Sequence, residues 1–129
     1  MTPLRFGILG AAAIAPNALI KPAAASAGAE GVAVAARGRD RGAAFSAKHG
    51  IPGVHRSYEA LLDDPAIDAV YNPLPNGLHG RWTVAALEAG KHVLCEKPFT
   101  ANADEARAVA EVARGTDRVL MEAFHWRYH

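Results

Sequence analysis

The sequence has a single cysteine, no excess of either charge and no long apolar run. Cys95 cannot form a disulfide within the chain, as is usual for proteins of a reducing compartment. The 14 basic and 13 acidic residues give a formal net charge of +1, so the composition predicts neither a nucleic-acid nor a membrane partner. No apolar run approaches the roughly 20 residues of a membrane-spanning helix, and the first ten residues lack the pattern of a secretory signal peptide. These absences predict a cytoplasmic protein.

The chain alternates short β-rich runs with alanine-rich helical stretches. With 129 residues, half of them apolar, it has the length of one domain with a substantial core. We predict strands at 4–10, 31–37, 67–72, 92–96 and 118–124, and helices at 14–27, 40–49, 57–64, 76–90 and after Asn102. Continuous apolar strands between helices are typical of a parallel sheet covered on both faces, and right-handed crossovers make such a sheet doubly wound. The predicted fold class is therefore α/β, and ligands of such sheets bind outside the carboxyl ends of the strands.

The turn after the first predicted strand carries small residues at the spacing of a phosphate-binding motif. Gly10, Ala12 and Ala15 occupy the three positions of the dinucleotide fingerprint, although only the first is a glycine. Ala12 adds a methyl group where the phosphates would pass. The alternative is that these small residues only pack a helix against the sheet. The position of the motif, after the first strand and at the start of the first helix, favours nucleotide binding.

The corner after the second predicted strand indicates which dinucleotide is bound. An acidic residue about 20 positions past the glycine turn usually binds a free ribose 2′-hydroxyl. Glu30 has that spacing but precedes the strand, so it faces the opposite edge of the sheet. The corner itself carries Arg37 and Arg39, and a guanidinium suits a 2′-phosphate. A solvated surface role is more plausible for Arg39 than for Arg37, and the corner predicts NADP rather than NAD.

The fourth predicted strand, "HVLCE", ends on two opposite charges and a proline. Neighbouring strand residues point to opposite faces, so one of Glu96 and Lys97 should face the ligand edge. A lysine beside a nicotinamide ring can bind a substrate hydroxyl and take or give its proton as hydride moves. Pro98 then fixes the backbone, as either a trans or a cis peptide. The alternative is a surface lysine at the end of a strand, and for an isolated "EKP" that interpretation would be preferred.

Four stretches together resemble the glucose–fructose oxidoreductase/inositol dehydrogenase (Gfo/Idh/MocA) family, and within it the branch of dihydrodiol dehydrogenases and NADP-dependent xylose dehydrogenases. They are "GILGAAAIA", "VAVAARGRD", "YNPLPNGLHGRWTVAALEAGKHVLCEKPFT" and "VLMEAFHWRYH". The resemblance implies that residues 1–129 form a Rossmann domain that binds NADP. It also implies an oxidoreductase that transfers hydride between this cofactor and the C–OH group of a sugar, polyol or dihydrodiol.

The same resemblance assigns roles to individual residues. It implies that Lys97 is catalytic. It implies that the 2′-phosphate lies on Arg37 and that the pyrophosphate lies on Gly10, Ala11, Ala12, Ala13, Ile14 and Ala15. It implies that the nicotinamide ribose lies near Leu74, Pro75, Asn76 and His79. It also implies that the cofactor cleft is lined by Glu96, Lys97 and Arg127.

Members of this family continue beyond the point at which this chain stops, into a second α/β domain. That domain contributes the sugar pocket and the dimer surface, so we expect the present chain to be the cofactor half of a homo-oligomeric enzyme and to be inactive alone. The alternative is a module that holds NADP for sensing or scaffolding without chemistry. We predict no metal site, because His92 and Cys95 lie on opposite faces of a strand and have no ligand spacing to His125.

Overall fold

The computed structural model describes residues 2–124, which form a six-stranded sheet flanked by helices. The strands are β1 (Leu4–Leu9), β2 (Ala29–Ala35), β3 (Gly53–His55), β4 (Ala69–Asn72), β5 (His92–Glu96) and β6 (Leu120–Ala123). Every pair of neighbours is parallel, and the order across the sheet is β3-β2-β1-β4-β5-β6. The order reverses between β1 and β4, so the predicted doubly wound fold is confirmed.

The helices follow the strands in alternation. A π-helical turn (Pro16–Ile20) leads into α1 (Lys21–Ala24), and a 3-10 turn (Asn76–Leu78) leads into α4 (His79–Glu88); the others are α2 (Arg39–His49), α3 (Tyr58–Leu62) and α5 (Ala103–Arg114). Two of them begin at capping side chains. The Ser57 hydroxyl accepts a hydrogen bond from the backbone N–H of Ala60 at 3.0 Å, and the Asn102 amide oxygen accepts one from Glu105 at 2.9 Å.

The two faces of the sheet carry separate apolar cores. Side chains alternate along β1, and both Ile8 and Leu9 are fully buried. Ile8 belongs to the core beneath the first two helices, with Leu19 and Phe45. Leu9 belongs to the core on the other face, which includes Trp82 of α4. The sheet is thus covered from both sides at its centre, as its continuous apolar strands predicted.

Several element boundaries differ from the prediction. The sequence analysis missed β3, a three-residue strand that pairs only with β2 and whose residues are half-buried. It begins directly after Pro52, and both Pro and Gly are depleted in strands. The second strand is Ala29–Ala35 rather than 31–37, so Arg37 lies two residues beyond its end. The first helix is shorter than predicted, ending at Ala24.

Polar side chains join strands at the amino edge of the sheet, away from the glycine turn. The Arg5 guanidinium donates two hydrogen bonds to the Asp68 carboxylate, each at 3.0 Å, and the Arg5 backbone N–H donates a third at 2.9 Å. These bonds lower the pKa of Asp68 to about 2. Lys91 is buried and donates to the carbonyl oxygens of Asp64 and Ile67, both at 2.8 Å. We assign this edge a structural role.

Candidate active site

Gly10 forms the turn that connects β1 to the first helical segment. Its φ of +91° is one that residues with a side chain rarely adopt, and a Cβ atom would lie 3.0 Å from Cδ2 of Leu74. Its backbone N–H donates to the carbonyl of Ala35 in β2 at 2.6 Å. Ala15 is fully buried and packs the helical segment on the sheet, whereas Ile14 is 42% exposed. The fingerprint thus has the glycine where the backbone requires one.

The turn opens into a cleft at the carboxyl edge, at the point where the strand order reverses. The cleft has a volume of about 460 Å³. It brings together the glycine turn, the corner after β2 and the loop after β4, and its lining residues are Gly10, Ala11, Ala12, Ala13, Arg37, Arg41, Tyr58, Pro73, Leu74, Pro75 and Leu78. Three of the predicted groups of cofactor-binding residues therefore meet in one cavity. A groove at the switch point of a doubly wound sheet is where such folds bind ligands.

Two arginines face the same end of this cleft. Arg37 follows β2 and is exposed, and Arg41 lies in the first turn of α2. Burial raises the pKa of Tyr58, which also lines the cleft, and the positive charges of Arg41 and Arg37 oppose that rise without cancelling it. Arg39 is exposed and does not line the cleft. The sequence analysis missed Arg41, although an arginine one helical turn beyond Arg37 was a readable signal.

The loop after β4 is held from below by a buried asparagine. Asn72 is fully buried, and its amide nitrogen donates to the His79 carbonyl at 3.2 Å and to the Thr83 hydroxyl at 3.1 Å. Its amide oxygen accepts the backbone N–H of Leu74 at 3.3 Å. Leu74 is buried against Gly10, while Pro75 and Asn76 are exposed at the rim. The amide of Asn72 therefore fixes the position of this loop next to the glycine turn.

His79 is buried beneath the loop that follows β4. It is 1% exposed, and both ring nitrogens lie against backbone carbonyl oxygens: Nε2 is 2.5 Å from Leu74 O and Nδ1 is 2.7 Å from Pro98 O. The ring consequently has no free nitrogen for a cofactor atom. Through these two contacts His79 joins the loop after β4 to the turn after β5, and its place near the nicotinamide ribose stays a prediction.

Glu96 and Lys97 have different environments at the end of β5. Glu96 is 6% exposed, and its Oε1 accepts a hydrogen bond from the fully buried Tyr71 hydroxyl at 2.7 Å. Burial raises the pKa of Tyr71, and the hydrogen bond to Glu96 raises it further, so this phenol stays a donor. Lys97 is exposed immediately beyond the strand, and the Lys97–Pro98 peptide is cis. Of the two residues, only Lys97 is open to solvent, and its position toward the cofactor stays a prediction.

The remaining predicted features concern residues elsewhere. Arg127 and His125 lie outside the described residues. Between residues 2 and 124, no three His, Cys, Asp or Glu side chains are grouped as a metal site would require. Cys95 is buried, and burial raises the pKa of its thiol to about 11. No helix in the described part of the chain has the length and apolar character to cross a membrane.

A doubly wound parallel sheet with a glycine turn after β1 and a basic corner after β2 defines a dinucleotide-binding domain. Comparison with known proteins agrees. Residues 4–124 match the profile of the Gfo/Idh/MocA oxidoreductase family, described as an NAD-binding Rossmann fold. The chain belongs to this family and has its NAD-binding Rossmann fold, which confirms the resemblance inferred from its motifs.

Individual relatives place the chain within the family. It is 49% identical over 126 residues to D-xylose 1-dehydrogenase (NADP(+)) 2 of Haloferax volcanii, an alignment that covers 98% of this chain and 38% of the relative. It is 42% identical over 97 residues to trans-1,2-dihydrobenzene-1,2-diol dehydrogenase of Sus scrofa, covering 75% of this chain and 29% of that protein. The chain therefore spans less than two-fifths of the length of these relatives.

The fold is also shared with solved structures. KijD10, a 3-ketoreductase from Actinomadura kijaniata crystallised in an open conformation with TDP-benzene and NADP, superposes with a TM-score of 0.91 at 41% identity. This match covers 98% of the present chain and 40% of KijD10. An NAD-binding protein from Listeria innocua gives a TM-score of 0.87 at 31% identity, covering 97% of this chain and 36% of that one.

Proposed function

We propose that the chain binds NADP in the cleft at the carboxyl edge and that the full-length protein is a dehydrogenase or reductase of sugars, polyols or dihydrodiols. The observation that carries the proposal is the single cleft shared by the glycine turn, the Arg37 corner and the loop after β4. The turn fits a dinucleotide because its glycine keeps the space above β1 free of a Cβ atom. The pyrophosphate would lie along residues 10–15.

The choice of NADP rests on the charge of the cleft. Arg37 and Arg41 line it, and none of its described lining residues is acidic. An arginine at this corner accommodates a 2′-phosphate, whereas a carboxylate would bind the free 2′-hydroxyl of NAD. Two relatives support this choice, since NADP is part of the name of the Haloferax enzyme and was crystallised with KijD10.

The nicotinamide end would lie between the loop after β4 and the end of β5. Pro75 and Asn76 form the rim of that loop, Glu96 ends the neighbouring strand and Lys97 follows it directly. When bound, the nicotinamide supplies the hydride acceptor or donor. Glu96 accepts the Tyr71 hydroxyl at 2.7 Å and would provide a fixed, buried carboxyl group near the nicotinamide.

Lys97 is the residue that we assign to proton transfer. It is exposed at the ligand edge, and it begins a turn whose following peptide groups are bound by other side chains. Its ammonium group would donate a hydrogen bond to the substrate oxygen, and its amine form would accept the hydroxyl proton during oxidation. In the reverse direction the ammonium would protonate the carbonyl oxygen.

The substrate class is inferred from relatives. The relatives include the D-xylose dehydrogenase, a trans-dihydrodiol dehydrogenase and 3-reductases of dTDP-keto sugars. The substrates in these names all carry a hydroxyl or carbonyl carbon on a ring. The chain spans only part of these relatives. We therefore also propose that the full-length protein has a sugar pocket and a homo-oligomeric interface.

Turnover of the full-length protein tests the assignment of Lys97. With NADP and a panel of pentoses, hexoses and cyclic diols, we expect Lys97→Ala to abolish turnover while NADPH affinity and melting temperature stay nearly unchanged. Arg107→Ala, a change to an exposed ion pair on α5, is the matched control. Retained activity in Lys97→Ala would make Lys97 a structural strand end. Tight NADPH binding without turnover of any substrate would instead favour a sensor or scaffold.

A further inference from the structure

The turn after β5 is held by side chains rather than by regular backbone pairing. Pro98 has no N–H, so the polar backbone groups that follow Lys97 are the Pro98 carbonyl and the N–H and carbonyl of Phe99. Each has a side-chain partner. His79 Nδ1 lies 2.7 Å from the Pro98 oxygen, the Phe99 N–H donates to Glu122 Oε2 at 2.9 Å, and the Cys95 thiol lies 3.8 Å from the Phe99 oxygen.

Glu122 is the carboxylate of this set, and it has no place in the proposed cofactor site. It lies on β6 in register with Cys95 of β5, so its side chain is on the same face of the sheet as the Phe99 turn. Glu122 is exposed, and an exposed carboxylate is ordinarily well hydrated. Here one of its oxygens instead accepts the N–H of a residue 23 positions away. A bond from a neutral N–H to a carboxylate is shorter and stronger than one between neutral groups.

We propose that Glu122 is a positioning residue for Lys97. β5 fixes the chain up to Glu96, and Glu122 fixes it again at Phe99, so the backbone of Lys97 is anchored on both sides. This matters for a lysine because its side chain is long and, here, exposed, so only its backbone direction is set by the fold. Catalytic groups must be held within about 0.5 Å and 10–20° of a productive geometry. The inference rests on the proposed function in taking Lys97 as the catalytic group.

The first test measures the bond itself in this chain, without any substrate. Hydrogen exchange of the Phe99 amide, followed by NMR, should be about tenfold faster or more in Glu122→Ala, because the N–H loses its acceptor. Glu122→Gln should restore protection close to that of the original chain, since an amide oxygen also accepts. Glu111→Ala is the control, as that carboxylate pairs with Arg114 on the surface of α5 at 2.7 Å. Unchanged exchange of Phe99 in Glu122→Ala would overturn the inference.

The second test measures the consequence for catalysis in the full-length protein. Glu122→Ala should lower kcat about tenfold with little change in KM for NADP, because a displaced lysine affects proton transfer more than cofactor binding. Glu122→Gln should recover most of kcat. Equal kcat in Glu122→Ala and the original protein, or a loss that Gln does not rescue, would refute a positioning role. If Lys97→Ala had no effect on turnover while Phe99 exchange still depended on Glu122, the proposed function would fail and the anchoring of the turn would stand.

Discussion

The preference for NADPH over NADH is the prediction that the structure allows us to work out furthest. Arg37 and Arg41 both line the cleft, and we expect both to approach one bound 2′-phosphate. A hydrogen bond to a charged group contributes about 1.5–3 kcal/mol. Arg37 is exposed and both arginines are long, so we take the lower end, about 1.5 kcal/mol each, which is roughly tenfold in affinity.

The expected pattern follows from this magnitude. Arg37→Ala and Arg41→Ala should each weaken NADPH binding about tenfold, and the double variant should approach a hundredfold if the two bonds are independent. NADH affinity should hardly change, because NADH lacks the phosphate. Both cofactors are titrated by fluorescence at one ionic strength, since added salt weakens exposed charge pairs. Arg39→Ala is the control, because Arg39 is exposed at the start of α2 and does not line the cleft.

Two results would refute this reasoning. The first is equal affinity of the original chain for NADPH and NADH, which would show that no 2′-phosphate site exists. The second is an equal loss of both cofactors in Arg37→Ala, which would mean that the residue supports the cleft rather than the phosphate. A loss in Arg39→Ala as large as in Arg37→Ala would instead indicate a diffuse effect of positive charge.

Three further predictions concern the turn, the amino edge and the exposed strand. Gly10→Ala should destabilise the chain by about 1–3 kcal/mol and weaken NADPH binding, because it forces a side chain into a positive-φ turn beside Leu74. Urea unfolding measures the loss of stability. Gly77→Ala is the control and should be neutral, because a Cβ atom at Gly77 would meet nothing within 4 Å. The pKa of Asp68, about 2, is depressed below its unfolded value of about 4, so its contribution to stability is present above pH 4 and is lost as pH falls towards 2. Asp68→Asn should flatten that part of the stability curve, and an unchanged slope would count against the Arg5 pair. The chain alone should show no turnover and should self-associate in light scattering, because the edge strand leaves Val119, Met121 and Phe124 at 59%, 44% and 47% exposure; a stable monomer would contradict this.

Much of the fold could be predicted because its strands and turns are encoded by local sequence patterns. The strands β1, β4 and β5 are mostly apolar over their central residues, and Gly10 stands where a turn needs a positive φ. β3 was missed because three half-buried residues after a proline carry no clear period, and only its pairing with β2 makes it a strand. The parallel, doubly wound class followed from the alternation of strands and helices, since parallel strands need crossovers. The order of the six strands is known only from their pairing in the structure.

The site was predicted less completely, because side-chain partners are set by tertiary contacts. The sequence placed Arg37 and Lys97 at the ligand edge through their positions after strands. It could not show that His79 turns both nitrogens to backbone carbonyls, since a histidine in the first turn of an amphipathic helix fits several roles. Glu122 is similar: its bond to Phe99 joins residues 23 positions apart on different elements, and no local pattern encodes it.

The central position of β1 determines when a growing chain can complete its sheet. β1 pairs with β2 early, but its other side pairs with β4, and Arg5 and Asp68 are 63 positions apart. Contacts between distant residues form late, because the intervening loop must close first. On the ribosome, the first three strands can therefore assemble while the far side of β1 still has no neighbour. The nucleotide cleft comes into existence only when β4 docks, so a nascent chain that is held or released before then is a half-sheet with an open central strand and no place for its cofactor.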